Sequence, residues 1–277
     1  MNLHRAAWIL VAAGILAAAA APAARADIIR LEDGNTVALF DPTAAATQFG
    51  WQVDGINYLR EQGFWYRVDG QGLGGESPLP ALGLVSAVPI DTTGDDLDDM
   101  LRLKYAKGGL TVEVIYTLVG GTPGSGWADL TEVIRITNSS TAALVTHFFQ
   151  YVDFDLGPGG ASDTAQIRGG NTATQSFGAV NVAETVATPD PSQYAAAVSP
   201  AIRDSLMDGG PTNLGLVSGP VTGDATWGFQ WDFSLAPING TYIISKDKRL
   251  EVVPEPATLA LLGVGVAGLF MRRRGKQ

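Results

Sequence analysis

The sequence predicts an all-β protein whose main region is a β-sandwich, of the jelly-roll-like or supersandwich type, with one or two short helices. Segments rich in β-branched and aromatic residues recur along the chain, and glycine-rich turns separate them. Apolar and polar residues alternate within these segments, which gives each strand one face for the core and one for water. Many short strands joined by such turns are typical of two packed sheets.

Nine segments are predicted as strands. Residues 110–118 are mostly β-branched, aromatic or apolar and run into Gly-Gly-Thr-Pro-Gly at 120–124, a turn-forming sequence. Residues 130–137 alternate and end at Asn-Ser-Ser, which also favours a turn. The nine predicted strands are 36–40, 64–68, 101–106, 110–118, 130–137, 145–156, 179–185, 226–235 and 241–246.

One short helix is predicted between residues 199 and 209. Ser199 is placed to cap it, Pro200 suits the first helical position, and Gly209 is placed to end it. Residues 69–80 have the composition of a loop. Their glycines do not indicate a phosphate-binding loop, because the lysine of that motif is missing.

Residues 1–26 have the three parts of a secretory signal: a basic start, an apolar run over 6–21, and small residues before a cleavage site. The apolar run predicts an N-terminal signal helix that enters the bilayer. Ala24 and Ala26 form the small-x-small pattern of signal peptidase sites, so the mature chain is predicted to begin at Asp27. We therefore expect signal peptidase and the secretion machinery to act on the chain.

The C-terminal residues 253–277 form a second targeting segment. Residues 257–271 are 15 uncharged residues, and they precede a basic tail at 272–277. This apolar stretch predicts a C-terminal transmembrane helix of about 22 Å, which is shorter than the roughly 30 Å hydrocarbon core. Such a length suits a temporary hold in the inner membrane, with the basic tail on the cytoplasmic side.

Pro-Glu-Pro at 254–256, followed by this apolar segment and an arginine cluster, resembles the PEP-CTERM sorting signal. The resemblance implies a Gram-negative bacterium that makes exopolysaccharide. It also implies that exosortase, a membrane protease-transpeptidase, processes the tail. The chain is then expected to pass through an inner-membrane intermediate to the cell surface or extracellular matrix. The residues that carry the resemblance are Pro254, Glu255, Pro256, Arg272, Arg273 and Arg274.

Charge and composition limit what the predicted extracytoplasmic domain, residues 27–252, can do. It contains 12 lysine and arginine residues against 27 aspartate and glutamate residues, a formal charge of −15, which disfavours nucleic acid as a partner. The chain has no cysteine, which excludes disulfides and thiolate metal sites. Once the signal is removed, His147 is the sole imidazole, so a multi-histidine metal centre is excluded.

The predicted strand 145–156 contains the residues best suited to binding or catalysis. Its period of two places Tyr151, Asp153 and Asp155 on one face. Aromatic rings beside carboxylates are typical of sugar recognition, because C–H faces pack on rings and carboxylates accept hydroxyl hydrogen bonds. The alternative interpretation places the rings in the core. The candidate glycan contacts are Trp65, Tyr151 and Trp231.

Asp153 and Asp155 are also the candidate catalytic residues of a glycosidase. Along a strand their separation is about 6.5–7 Å, which fits the roughly 5–10 Å between the two carboxylates of such enzymes. Any Asp-x-Asp in a strand has this spacing. The sequence therefore favours a non-catalytic protein and leaves the enzyme open as an alternative.

An acidic loop offers a further alternative, a calcium-dependent adhesive module. Calcium is bound by several flexible oxygen ligands, and this loop is dense in carboxylates, although it lacks the spacing of an EF-hand. A solvated acidic turn is the competing interpretation. The calcium candidates are Asp91, Asp95, Asp96, Asp98 and Asp99.

The main hypothesis is an exported surface or matrix protein with a structural or glycan-contacting role in exopolysaccharide or biofilm. The alternatives are a carbohydrate-active enzyme that uses Asp153 and Asp155, and the calcium-dependent module. Apart from exosortase and the secretion machinery, exopolysaccharide is the partner that this hypothesis implies.

Overall fold

The computed structural model describes residues 28–71, 74–158 and 162–253. The predicted signal helix, the cleavage site at Ala24 and Ala26, and the tail from Pro254 to Gln277 lie outside the described residues. The predicted transmembrane helix at 257–271 lies outside them as well. Among the residues that are described, no helix has the length and apolar character needed to cross a membrane.

The described residues form nineteen strands, one α-helix and one 3₁₀ helix at Leu79–Leu82. The strands are β1 (Ile29–Asp33), β2 (Thr36–Phe40), β3 (Gln48–Val53), β4 (Ile56–Asn57), β5 (Leu59–Val68), β6 (Ser77–Pro78), β7 (Leu84–Ile90), β8 (Met100–Lys107), β9 (Leu110–Gly120), β10 (Trp127–Asn138), β11 (Leu144–Phe154), β12 (Asp163–Arg168), β13 (Thr172–Phe177), β14 (Val180–Thr188), β15 (Gln193–Val198), β16 (Leu216–Val217), β17 (Val221–Gly223), β18 (Ala225–Leu235) and β19 (Gly240–Val252). The α-helix is α1 (Ala201–Met207).

The strands assemble into two sheets, which confirms the predicted all-β sandwich. The first sheet has the order β1-β2-β3-β5-β11-β18-β15-β16, with β4 on β3 and β6 on β5. The second has the order β17-β12-β13-β14-β19-β10-β9-β8-β7. Neighbouring strands are antiparallel except β15 and β16. All nine predicted strands are present, whereas the jelly-roll-like or supersandwich type stays a prediction.

Burial follows the alternation in the sequence. In β9, every second residue from Leu110 to Leu118 is buried, as expected for a strand with one face on the core. The first sheet supplies aromatic side chains to the same core, and the rings of Phe154 and Trp227 stack with centroids 5.5 Å apart. Each such side chain contributes about 1.5–3 kcal/mol by leaving water. The space between the sheets is therefore the main core.

The outer face of the first sheet carries a second, smaller apolar cluster. Trp65 and Tyr151, from β5 and β11, are buried there with Ile202 and Leu206 of α1. The edges of the two rings meet, with centroids 6.3 Å apart and planes at 80°. Helix α1 and this cluster therefore cover the middle of the outer face.

The predicted helix is present within residues 199–209, but its predicted cap is wrong. Pro200 occupies the N-cap position, where it has no side chain that can accept a hydrogen bond. Ser199 lies outside the helix, and its backbone N–H donates to the carbonyl of Asp224 at 2.7 Å. Gly209 follows the helix with a φ of 81°, a conformation that favours glycine.

The interior between the sheets holds a buried charge group, which consists of Glu132, Glu184, Lys246 and Lys248. Each residue exposes 1% or less of its surface. The register of the second sheet sets them side by side, because Lys246 pairs with Glu132 across strands and Lys248 pairs with Glu184. Two carboxylates thus face two ammonium groups, so the group has no net charge.

Hydrogen bonds satisfy these charges. Lys246 Nζ donates to Glu132 Oε2 at 2.5 Å and to Glu184 Oε1 at 2.9 Å, and Lys248 also donates to Glu132. Further donors to the two carboxylates are the side chains of Gln62, Gln150 and Trp227. Buried ions are tolerated when they are paired in this way.

The pKa values of Glu132 and Lys248 reflect the balance between burial and ion pairing. Burial alone raises the pKa of Glu132, but the adjacent Lys246 and Lys248 outweigh burial and hold that pKa at about 2. Burial lowers the pKa of Lys248 below its ordinary value, although Glu132 acts against the shift. The short contacts favour the ionised form of the group.

Candidate functional site

Three carboxylates meet at one end of the first sheet. Asp153 lies near the end of β11, where it pairs with Thr226 of β18 and Glu61 of β5. The ladder between β11 and β5 shifts register directly after Asp153, and Asp155 follows the end of β11. Asp224 comes immediately before β18. These three residues, named here the aspartate cluster, each bring one carboxylate oxygen within 4.8 Å of the others.

The aspartate cluster is partly buried and has few hydrogen-bond donors around it. Asp153 is 1% exposed, and its Oδ2 accepts a hydrogen bond from the Tyr151 hydroxyl at 3.1 Å. The nearest cation is Arg60, whose Nε lies 4.0 Å from the same oxygen. The Oδ1 atoms of Asp153, Asp155 and Asp224 are buried without a hydrogen-bond partner among the described residues. Three acceptors therefore converge where donors are scarce.

The pKa values follow from this crowding. Burial, reinforced by the charges of Asp224 and Asp155, raises the pKa of Asp153 to about 7. Burial and Asp224 also raise the pKa of Asp155. Like charges and a low-dielectric environment both disfavour the ionised form of a carboxyl group.

Asp155 also borders an open groove beside the cluster. The groove has a volume of about 450 Å³ and is lined by Tyr58, Phe177 and Pro158, among others. Its surface is mainly apolar, with half-buried Phe177 and 57% exposed Ile56. The backbone N–H of Asp155 donates to the carbonyl of Tyr58 at 2.9 Å, which fixes the backbone of Asp155 at the rim. The partly accessible ring of Phe177 and the carboxylate of Asp155 thus share one surface, whereas Tyr58 is only 4% exposed.

The sequence brought two members of the cluster to attention and missed the third. In the structure, one carboxylate oxygen of Asp153 lies within 4.8 Å of one of Asp155. The roughly 6.5–7 Å expected from the sequence is the separation of the two residues along a regular strand, not the distance between their side-chain oxygens. Asp224 had no local signal of its own. The available signal was the pairing of the two predicted strands 145–156 and 226–235, which would have placed Asp224 beside Asp153.

The predicted glycan contacts Trp65, Tyr151 and Trp231 are core side chains. They expose 2%, 1% and 0% of their surface. Trp65 and Tyr151 are covered by α1, and Trp231 faces the second sheet in the main core. The expectation that these rings lie on an accessible surface is corrected accordingly, because strand aromatics here serve packing.

The carboxylates of the acidic loop bond mainly to the loop itself. Asp91 accepts hydrogen bonds from the backbone N–H groups of Gly94 and Asp96, at 2.6 and 2.9 Å. The hydrogen bond from Gly94 in particular lowers the pKa of Asp91. Asp99 is buried and accepts from the backbone N–H and hydroxyl of Thr92. Of the five calcium candidates, Asp91, Asp95, Asp96, Asp98 and Asp99, none belongs to the group of convergent acidic side chains found among the described residues.

His147 lies at the opposite end of β11 from the aspartate cluster. Its Nδ1 is 2.6 Å from Asp232 Oδ1, and its Nε2 is 3.3 Å from Asp69 Oδ1. Ser192 Oγ accepts a hydrogen bond from the backbone N–H of Asp232, not from the imidazole. This arrangement differs from that of a Ser-His-Asp triad, in which the serine hydroxyl bonds to the imidazole.

Solved structures share this fold. The bacterial glucoamylase solved with acarbose superposes with a TM-score of 0.53 at 13% identity, over 84% of this chain and 32% of the glucoamylase. The Slr1438 protein from Synechocystis sp. PCC 6803 gives a TM-score of 0.51 at 9% identity, over 82% of this chain and 96% of that protein. The chain thus spans about a third of the length of the glucoamylase. At these identities the likeness establishes the sandwich fold alone.

The C-terminal tail carries a recognised sorting signal. The family model of the PEP-CTERM protein-sorting motif matches residues 252–274, which confirms the predicted resemblance. The chain is therefore an exported protein sorted by exosortase. No curated protein matches the chain in sequence.

Proposed function

We propose that this protein is a non-catalytic component of the cell surface or extracellular matrix, and that it contacts exopolysaccharide in a biofilm. The observation that carries this proposal is the open groove bounded by Tyr58, Asp155 and Phe177 on a domain that bears an exosortase signal. The signal supports delivery to the envelope, and the groove supplies a contact surface there.

The groove suits a saccharide for chemical reasons. Sugar rings present apolar C–H faces that pack on aromatic side chains, and their hydroxyl groups donate to carboxylates. Phe177 is half-buried and packs against the main core, so its ring is held in place while part of it stays accessible. Asp155 lies at the rim as a hydrogen-bond acceptor. The middle of the outer sheet face, by contrast, is covered by α1.

Calorimetry of the full chain with the exopolysaccharide of its host tests the proposal. We expect Phe177→Ala to weaken binding about 10-fold, since an aromatic contact contributes roughly 0.5–1.5 kcal/mol beyond the burial of its area. Phe233→Ala is a matched control, because Phe233 is a partly buried ring that stacks on Tyr242 at 3.8 Å. Equal affinities for the two variants, or no heat of binding with the unmodified chain, contradict the proposal.

A carbohydrate-active enzyme is the second candidate. The observation that favours it is the separation of less than 4.8 Å between carboxylate oxygens of Asp153 and Asp155. This is close to the roughly 5–5.5 Å between the two carboxyl groups of retaining glycosidases. Release of reducing ends from the same polysaccharide supports the enzyme if Asp153→Asn and Asp155→Asn abolish it. Unchanged turnover in both variants excludes these residues as the catalytic pair.

A further inference from the structure

We propose that Asp153, Asp155 and Asp224 form a binding site for a divalent cation, and that the cation is calcium. The site does not depend on contact with a polysaccharide, so it goes beyond the function proposed above. It also differs from the acidic loop at 91–99, whose carboxylates bond mainly to the loop itself.

The first argument is the unsatisfied oxygen atoms. Asp153 is 99% buried, and its Oδ1 has no hydrogen-bond partner among the described residues. The Oδ1 atoms of Asp155 and Asp224 are buried and unpartnered in the same way. A buried carboxylate oxygen without a donor is costly, and a metal ion is one of the few ligands that several such oxygens can share.

The second argument is the charge. Three carboxylates converge, and in the described part of the chain the cation beside them is Arg60, which is 4.0 Å from Asp153 Oδ2 and has a side chain that is 57% exposed. The neighbouring acid Glu61 is already paired with Arg203 at 3.2 Å. If Arg60 offsets one of the three negative charges, two remain, which is the charge of one divalent cation.

The third argument is the kind and spacing of the ligands. The donor set contains carboxylate oxygens and no histidine or thiol, which favours calcium or magnesium over zinc. Calcium binds oxygen at about 2.3–2.6 Å, so two ligands on opposite sides of the ion are roughly 5 Å apart. The limit of 4.8 Å between the cluster oxygens is consistent with that span. Magnesium demands regular octahedral geometry and usually keeps several waters, whereas calcium accepts irregular sets of carboxylates, so calcium fits the cluster better.

The position of the site predicts what binding does. Asp153 lies one residue before the end of β11, a central strand of the first sheet, and Asp224 immediately precedes its neighbour β18. The carbonyl of Asp224 also accepts from the N–H of Ser199, which precedes α1. An ion held by the cluster links the end of β11, the start of β18 and, through Asp224, the segment before the helix.

Calorimetry tests the site with calcium chloride as the sole ligand, added to chelator-treated full chain without polysaccharide. We expect one calcium ion per chain and a rise in Tm on binding. Asp153→Asn and Asp224→Asn are each expected to weaken calcium binding by about 10-fold or more. Losing a residue that only orients a metal ligand typically weakens metal binding by about 10- to 100-fold, and losing a ligand itself should cost at least as much. Asp96→Asn is the control, since Asp96 is an exposed acidic-loop residue whose positive φ asparagine tolerates.

Circular dichroism of each variant establishes that it is folded before its affinity is compared. The proposal is overturned if calcium does not bind, or if the folded Asp153→Asn and Asp224→Asn variants keep the affinity of the unmodified chain. It is also overturned if Asp96→Asn alone loses binding, which would assign calcium to the acidic loop. Magnesium binding as tight as calcium binding overturns the choice of ion.

Discussion

The buried charge group and the aspartate cluster both place carboxylates inside the domain, and they differ in what faces those carboxylates. In the charge group, Glu132 and Glu184 meet two lysines and several side-chain donors. In the aspartate cluster, three carboxylates meet one exposed arginine and one tyrosine hydroxyl. The two regions lie on different faces of the first sheet, one toward the second sheet and one toward α1.

The difference shows which buried charges the chain neutralises by itself. Ion pairs within the charge group follow from the strand register, so that group is complete as soon as the second sheet forms. The cluster leaves an oxygen on each of its three members without a donor among the described residues. Its carboxylates are therefore available to a ligand, whereas those of the charge group are not.

The largest expected effect on stability comes from removing one lysine of the buried charge group. Lys246→Met removes the cation between Glu132 and Glu184 and leaves excess negative charge in the core. We expect the free energy of unfolding to fall by about 3–5 kcal/mol, the usual cost of leaving a buried ion without its partner. Urea denaturation measures this change.

Lys104→Met is the control for that experiment, because Lys104 is an exposed lysine in a strand of the same sheet. Its effect is expected to stay within about 0.5 kcal/mol. A loss below about 1 kcal/mol for Lys246→Met would mean that Lys248 alone compensates both carboxylates, and the contrast between the two regions would weaken.

Acid should remove a large part of the stabilisation that the buried charge group provides. The folded-state pKa of Glu132, about 2, is below its ordinary value of 4.5. The ionised form therefore stabilises the fold above the ordinary value, and this stabilisation is lost as the pH falls towards 2. The expected loss is about 3 kcal/mol, since one pKa unit corresponds to about 1.4 kcal/mol.

Urea midpoints measured from neutral to acid pH test this loss. Glu132→Gln removes the titrating group and should flatten the profile over that range. Glu113→Gln is the comparison variant, because Glu113 is a partly exposed acid beside Arg102 at 3.6 Å. An acid profile of Glu132→Gln that matches the unmodified chain would assign acid sensitivity to other carboxylates.

A smaller effect, of opposite sign, is expected at the cluster. In the presence of a chelator, Asp153→Asn removes one of three crowded negative charges and adds an amide donor. The variant should be more stable than the unmodified chain by about 1.5 kcal/mol, the lower end of the contribution of a hydrogen bond to a charged group. Asp96→Asn should change stability little. Destabilisation by Asp153→Asn would show that the carboxylates of the aspartate cluster are as fully paired as those of the buried charge group.

The sheets were predictable where the residues had strong strand preferences. The segments at 110–118 and 145–156 combine β-branched or aromatic residues with clear turns, and both are strands. The strands β12 and β13 were missed because Asp163–Arg168 and Thr172–Phe177 are rich in threonine, glutamine and alanine. Their register against β14 and β17 determines their structure, and a single-sequence pattern does not carry that information.

The two charged regions were harder to predict, for different reasons. Lys246 and Lys248 point inward although lysine normally faces water, and the partners that allow this lie on other strands. Asp153 and Asp155 were identified locally, whereas Asp224 joins them only through the pairing of β11 with β18. The groove residues Tyr58 and Phe177 likewise come from distant parts of the chain.

The position of strand β19 directly before the sorting signal determines how the domain bears a pull on its C-terminal tail. It lies between β10 and β14 in the second sheet, and the matched motif begins at its last residue, Val252. A pull on the C-terminal tail therefore acts along β19, across ladder hydrogen bonds that run perpendicular to the strand. Such shear loads many bonds at once, and Lys246 and Lys248 couple the same strand to the centre of the domain. A tether at this end therefore loads a central strand of the second sheet, which is paired along both of its edges.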